Sequence, residues 1–157
     1  MAKATDRGGD PALPWLVLTG LALGVTATNG FARFAYGLIL PAMRAELDWT
    51  YAQAGWLNTA NAIGYIAGAV VTMVAIRRVS PSKLFIAGLV TTALCLLATG
   101  MSSALWWQTL LRLMAGFCGA LSFATAGTLA ARLFTSDPRR SALAIAVSFG
   151  AAPEVNA

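Results

Sequence analysis

Residues 105–134 read LWWQTLLRLMAGFCGALSFATAGTLAARLF, an apolar stretch whose charges are Arg112 and, near its end, Arg132. The hydrocarbon core of a bilayer takes roughly 20 apolar residues per helix, so the stretch spans with turns to spare. An arginine near the middle of such a span costs about 2.5–3.5 kcal/mol on insertion scales. Arg112 is therefore expected to face a protein interior or a watery path rather than lipid. Gln108, Arg112, Gly116, Gly119 and Ser122 recur at helical spacing and fall on one face of the run.

Outward from this stretch the pattern repeats. Apolar runs at about 15–43, 54–76 and 84–101 precede it, and a fifth opens at 142 and ends near 153. All are read as helices, because backbone in contact with lipid must satisfy its own hydrogen bonds. Short alternating strands of the barrel kind are absent from the sequence. The expected fold is an all-α polytopic membrane protein with four complete transmembrane helices and the start of a fifth. Residues 1–14 form a polar tail, and 15–157 form an incomplete helix bundle. Lys3 and Arg7 before residues 16–25 resemble a secretory leader, but the first run continues well past leader length with no small-x-small cleavage site.

Composition excludes most other functions. The chain has 157 residues, 58% hydrophobic and 11% charged, with a net charge of +5 and a mean hydropathy of +0.70. Soluble domains carry about 25% charged residues. Nucleic-acid binding needs clustered cations with exposed aromatics on a soluble scaffold, whereas these cations sit in short gaps between apolar runs. With zero histidines, the commonest general base and metal ligand are missing. Cys95 and Cys118 lie inside apolar runs and read as small buried hydrophobes. No metal, cofactor or enzymatic activity is expected.

Loop charge gives an orientation. Eight of the nine basic residues outside the spans lie in the N-terminal tail, the 77–83 loop and the segment from Arg132 to Arg140. The other, Arg44, lies in the expected 41–53 loop beside Glu46 and Asp48. The positive-inside rule then puts the N-terminus in the cytoplasm of a bacterial inner membrane. Trp49, Trp56, Trp106 and Trp107 fall at the outer ends, where aromatic belts sit.

Polar residues inside the spans form stripes. Thr19, Thr26, Asn29, Arg33 and Tyr36 are spaced by seven, three, four and three, which places them on one face of an α-helix. Asn58, Asn61, Tyr65 and Thr72 do the same on the second run, while the third has scattered Thr91, Thr92 and Thr99. Helices one, two and four are thus expected to border an aqueous cleft. Asn58 and Thr72 also suit plain helix–helix hydrogen bonding. Arg33, eight residues before Pro41, and Arg112, seven after Leu105, lie at matching depth, roughly 10–12 Å inside the outer end at 1.5 Å per residue. Three fates stay open for each: snorkelling outward, pairing with carbonyls of a neighbouring helix, or contacting solute. For the last, the guanidinium fork suits a carboxylate or phosphate. The candidate solute-binding residues are Asn29, Arg33, Tyr36, Asn61, Tyr65, Gln108 and Arg112. Gly20-x-x-x-Gly24 and Gly64-x-x-x-Gly68 permit close helix approach. The four complete runs hold no Asp or Glu, so a proton-relay carboxylate is missing from them.

The string Leu111-Arg112-Leu-Met-Ala-Gly116-Phe-Cys-Gly119-Ala120 resembles the fourth-helix pattern of the major facilitator superfamily. Gly30-Phe-Ala-Arg33-Phe-Ala-Tyr-Gly37, followed by Leu40-Pro41-Ala-Met43, Trp56-Leu-Asn58 and Asn61-Ala-Ile-Gly64-Tyr65, resembles its bacterial YbfB/YjiJ-type branch. The resemblance covers about residues 15–150. It implies the N-terminal half of a secondary transporter of a small solute, with helices one and four lining a central cavity and Arg112 and Arg33 matching the arginines of those helices. Such transporters pair two six-helix halves, which makes the missing C-terminal half a partner. The loop Arg77-Arg-Val-Ser-Pro-Ser-Lys83 keeps the superfamily's positive charge and lacks its Asp and Gly. Residues 151–157 lose apolar character abruptly, and the chain reads as a truncated part, not expected to transport alone. The competing reading is a small four-helix integral membrane protein acting as an oligomer or as a subunit of a membrane complex. Small multidrug exporters of that size rely on an embedded glutamate that this chain does not have. Coding sequence downstream of codon 157 separates the two readings.

Overall fold

The computed structural model describes residues 13–133 and 142–146, with the side chains of 13–14 and 31–35 outside that description. The first apolar run does not form the single α-helix expected from its length. It is α1 (Leu13–Val25), then a π-helical segment (Thr26–Ala35), then α2 (Tyr36–Glu46). The change of helix type falls on Thr-Ala-Thr-Asn-Gly, in which all but the alanine have weak α-helix propensity. Within it, the Thr28 hydroxyl donates back to the Gly24 carbonyl at 2.9 Å, a bond that bends helices. Three helices long and apolar enough to cross a bilayer stand among the described residues, Tyr51–Ala75, Pro81–Thr99 and Leu105–Leu133. The first run contributes the shorter apolar stretch Trp15–Gly30.

Element ends follow local chemistry. α2 continues through Pro41 to Glu46, so the expected 41–53 loop shrinks to residues 47–50. Asp48 turns the chain there with a φ of 50°, a conformation Asp tolerates better than most residues. α3 (Tyr51–Ala75) starts earlier than expected because Thr50 and Gln53 form a capping box. In it the Gln53 N–H donates to Thr50 Oγ1 at 3.2 Å and the Thr50 N–H donates to Gln53 Oε1 at 2.9 Å. α4 (Pro81–Thr99) opens on a proline at its first position, where a missing N–H costs nothing. Only residues 142–146 of the expected fifth helix are described, and they are helical.

α5 (Leu105–Leu133) is the central strut, packed against α1, the π segment, α3 and α4. Lipid is as apolar as leucine, so helix association here relies on close van der Waals fit. Glycines supply it. A Cβ at Gly64 would strike the Leu113 carbonyl, one at Gly68 the Phe117 carbonyl, and one at Gly116 the Asn61 carbonyl. α3 and α5 therefore touch backbone to backbone. Gly88 also brings α4 close to Cys118 and Ser122 of α5, less tightly than the α3–α5 glycines. Gly20 meets nothing within 4 Å and Gly24 faces the Phe85 ring, so this glycine pair does not join two backbones.

Two apolar clusters close the ends of the bundle. Leu18, Leu21, Val25, Phe85, Ala126, Ala130 and Ala144 pack at one end, and Tyr36, Trp49 and Leu57 with Leu40, Met43, Leu47 and Leu105 at the other. Exposed Ile63, Ile66, Val70 and Met73 on α3 and Ile86, Val90, Leu94 and Leu97 on α4 make the apolar exterior. Trp56 and Trp106 are exposed as a belt residue would be, while Trp49 is buried. The Trp107 indole N–H donates to the Ala98 carbonyl at 3.0 Å.

Gln108 performs a related task. Its Nε2 donates to the Thr99 carbonyl at 2.8 Å and the Ser102 carbonyl at 2.7 Å, satisfying acceptors that the end of α4 leaves open. Gln108→Leu is expected to strand both carbonyls and cost roughly 1–3 kcal/mol. A lower midpoint in a thermal aggregation assay reads the loss, and an unchanged midpoint would show that water replaces the amide.

Candidate solute-binding site

Arg112 sits inside the bundle at 5% exposure. Its guanidinium carbon lies 3.1 Å from the centroid of the Tyr36 ring, which is also 5% exposed. Arg112 therefore does not snorkel to the membrane surface. It is stacked on an aromatic face in a desolvated setting, where such pairs contribute about 2 kcal/mol. A guanidinium's planar fork of N–H donors is the geometry that matches a carboxylate or phosphate. The Tyr36 hydroxyl is buried, and it interacts with the Arg112 guanidinium.

One turn along α5 from Arg112, at Gly116, the three polar-faced elements meet. A pocket of about 10 Å³ is lined by Thr28 and Asn29 of the π segment, Asn61 and Tyr65 of α3, and Ala115, Gly116 and Gly119 of α5. That volume suits about one water molecule, so the cleft expected from the stripes is closed in this conformation. Asn61 Nδ2 donates to the Arg112 carbonyl at 3.0 Å, linking the pocket to the arginine. Asn29 Nδ2 donates to Thr28 Oγ1 at 3.3 Å, and Ser122 Oγ donates to the same hydroxyl at 3.3 Å. The Tyr65 ring stands edge-on to Phe123 at 6.4 Å between centroids.

Of the candidates read from sequence, Asn29, Asn61 and Tyr65 line one pocket, and Tyr36 and Arg112 form a stacked pair beside it. Gln108 is turned to the α4 end. Arg33 falls in the π segment, and its side chain lies outside the described residues. Asn58 is exposed, and Thr72 donates to the Gly68 carbonyl of its own helix at 2.7 Å. Thr28 was missed. An α-helical count from Asn29 selects Thr26 and Thr19, yet both are exposed and Thr28 is buried. Thr28 continues the buried face of Leu18, Leu21 and Val25, and a count carried back from Tyr36 misses that face because it crosses a segment whose hydrogen bonds run i to i+5. The run Thr28-Asn29-Gly30, unfavourable to α-helix, was the available signal.

The described residues thus form a bundle with helices long and apolar enough to cross a bilayer and a buried arginine beside a pocket lined by Asn29, Asn61 and Tyr65. A family described as "Uncharacterised MFS-type transporter YbfB" matches residues 21–152. No curated protein and no solved structure gives a significant match. The chain belongs to that family of major facilitator transporters. It is a multi-pass membrane protein whose function is the transport of a small solute across a bilayer.

Proposed function

We propose that the solute is a small anion, attracted by the charge of Arg112 and oriented by Tyr36, Asn29, Asn61 and Tyr65, with Arg33 adding positive charge. The observation that carries this reading is the burial of Arg112 on the Tyr36 face. Glu46 and Asp48, the acidic groups among the described residues, lie at the far end of α2 and in the loop beyond it. A carboxylate or phosphate entering this environment loses its water and regains it as charge-assisted N–H bonds. The pocket of about 10 Å³ is too small for such a solute, so the proposed position of the solute is against this face of the bundle, where alternating access rocks one half of a transporter against the other around the site. The solute undergoes no chemistry. A thermal-shift panel of small carboxylates and phosphates against neutral and cationic analogues tests the reading. Anions should raise the midpoint of the purified chain, and a response to cations alone would overturn it.

Tyr36 separates binding from packing. Tyr36→Phe keeps the ring over Arg112 and removes only the hydroxyl, so the bundle should stay folded while affinity for the anion falls about fivefold, the worth of one net hydrogen bond. Equal affinity in the phenylalanine variant would confine Tyr36 to its stacking role.

The proposed orientation is N-terminus inside in a bacterial inner membrane, supported by the basic residues of the tail and of the loops that follow α3 and α5. In a background without Cys95 and Cys118, cysteine at Ser103 should react with an impermeant reagent outside intact cells and cysteine at Ser80 should not. Both positions are exposed. The reverse pattern would invert the topology.

A further inference from the structure

Between α1, α4 and α5, at the end of the bundle where the first apolar cluster lies, a groove of about 520 Å³ opens to the outside. This volume is within the roughly 300–1,000 Å³ of ligand pockets. Its walls are apolar, with Leu21, Phe85 and Leu133 among them, and its polar groups are Ser82 and Arg132. Gly20 also lines it, and a Cβ there would meet nothing within 4 Å, so the glycine keeps the groove open rather than serving a helix contact. Among the described residues the charges near this end are basic: Arg132 lines the groove, and Arg77, Arg78 and Lys83 lie in the sequence around the start of α4, whereas Glu46 and Asp48 lie around the end of α2.

The geometry points to a binding site for one phospholipid with an anionic headgroup. Its phosphate sits on Arg132 and Ser82, and part of an acyl chain lies along the apolar wall past Gly20. Both halves of the ligand are accounted for: the wall is of the same chemistry as lipid tails, and the single positive group stands at the groove end nearest the helix termini, where headgroups lie. A basic residue at such a position attracts anionic lipid with about fivefold preference. The site is separate from the Arg112 pocket and does not depend on the proposed solute.

The test uses the purified 157-residue chain in detergent with phosphatidylglycerol or phosphatidylcholine of identical acyl chains, and native mass spectrometry to count retained lipid. Phosphatidylglycerol should be retained about fivefold better. Arg132→Gln should erase the preference, Gly20→Leu should block both lipids by filling the groove, and Arg77→Gln, in the loop outside the lining, should leave the preference intact. Equal retention of the two lipids by the wild-type chain would overturn the site. So would loss of preference in Arg77→Gln to the same degree as in Arg132→Gln, since the basic surface as a whole would then be responsible. Unchanged retention in Gly20→Leu would mean that lipid binds elsewhere, or that another helix fills the groove.

Discussion

Arg112→Gln is expected to weaken binding of the best anion from the thermal-shift panel by roughly 10- to 100-fold, the equivalent of the 1.5–3 kcal/mol of a hydrogen bond to a charged group. Glutamine keeps amide donors on a side chain two bonds shorter and removes the charge that compensates a desolvated anion. Insertion should survive, because removing a buried charge from a span lowers its insertion cost. Arg112→Lys should recover little. An ammonium is a compact, strongly hydrated point charge, without the planar face that stacks on Tyr36 at 3.1 Å or the fork that grips a carboxylate. Affinity by calorimetry, with expression and gel-filtration profile alongside, distinguishes a binding loss from a folding loss. Wild-type affinity in both variants, with normal expression, would remove Arg112 from the binding site and leave its stack with Tyr36 as a packing feature.

The second large effect lies on the α3–α5 seam. Gly64→Val and Gly68→Val place branched side chains where the first added carbon already overlaps the Leu113 and Phe117 carbonyls. Backbone carbonyls in a helix cannot step aside as a side chain can, so the helices must separate along their whole contact. Overpacking of this kind costs about 1–3 kcal/mol or more at each site, and it also breaks the bond from Asn61 to the Arg112 carbonyl. Either variant should accumulate poorly and elute as aggregate. Gly55→Ala is the control on the same helix, with nothing within 4 Å of the new carbon. It should be neutral or stabilising, by up to about 1 kcal/mol from helix propensity. Normal yield and a sharp monodisperse peak for Gly68→Val would show that the seam is looser than the described backbone contact.

The two seams show where sequence reading ends. Gly20-x-x-x-Gly24 and Gly64-x-x-x-Gly68 are the same pattern, and only the second lies against another backbone. A spacing states that two residues share a face, and the identity of what that face meets is a property of the assembled bundle. The α5 stripe was legible, with Gln108, Arg112, Gly116, Gly119 and Ser122 all buried, because α5 is one uninterrupted α-helix and the 3.6-residue phase holds along it. The first-run stripe was legible only in part. Its buried positions Leu18, Leu21, Val25 and Thr28 follow one helical face beside that of Thr19 and Thr26, and the phase changes between Thr28 and the buried Tyr36, across the π segment.

Sequence alone determined the all-helical membrane class, because a chain 11% charged cannot cover a water-soluble surface and long apolar runs must bond internally. It also singled out Arg112, since a charge at that depth stands out from its apolar neighbours. Tertiary structure decided what Arg112 touches, that Gln108 fastens α4 rather than facing the pocket, and that the pocket is closed to the size of one water. Those facts depend on where other helices come to rest. Side-chain reach and backbone contact across a seam are set by packing between segments far apart in the chain, which no local periodicity encodes.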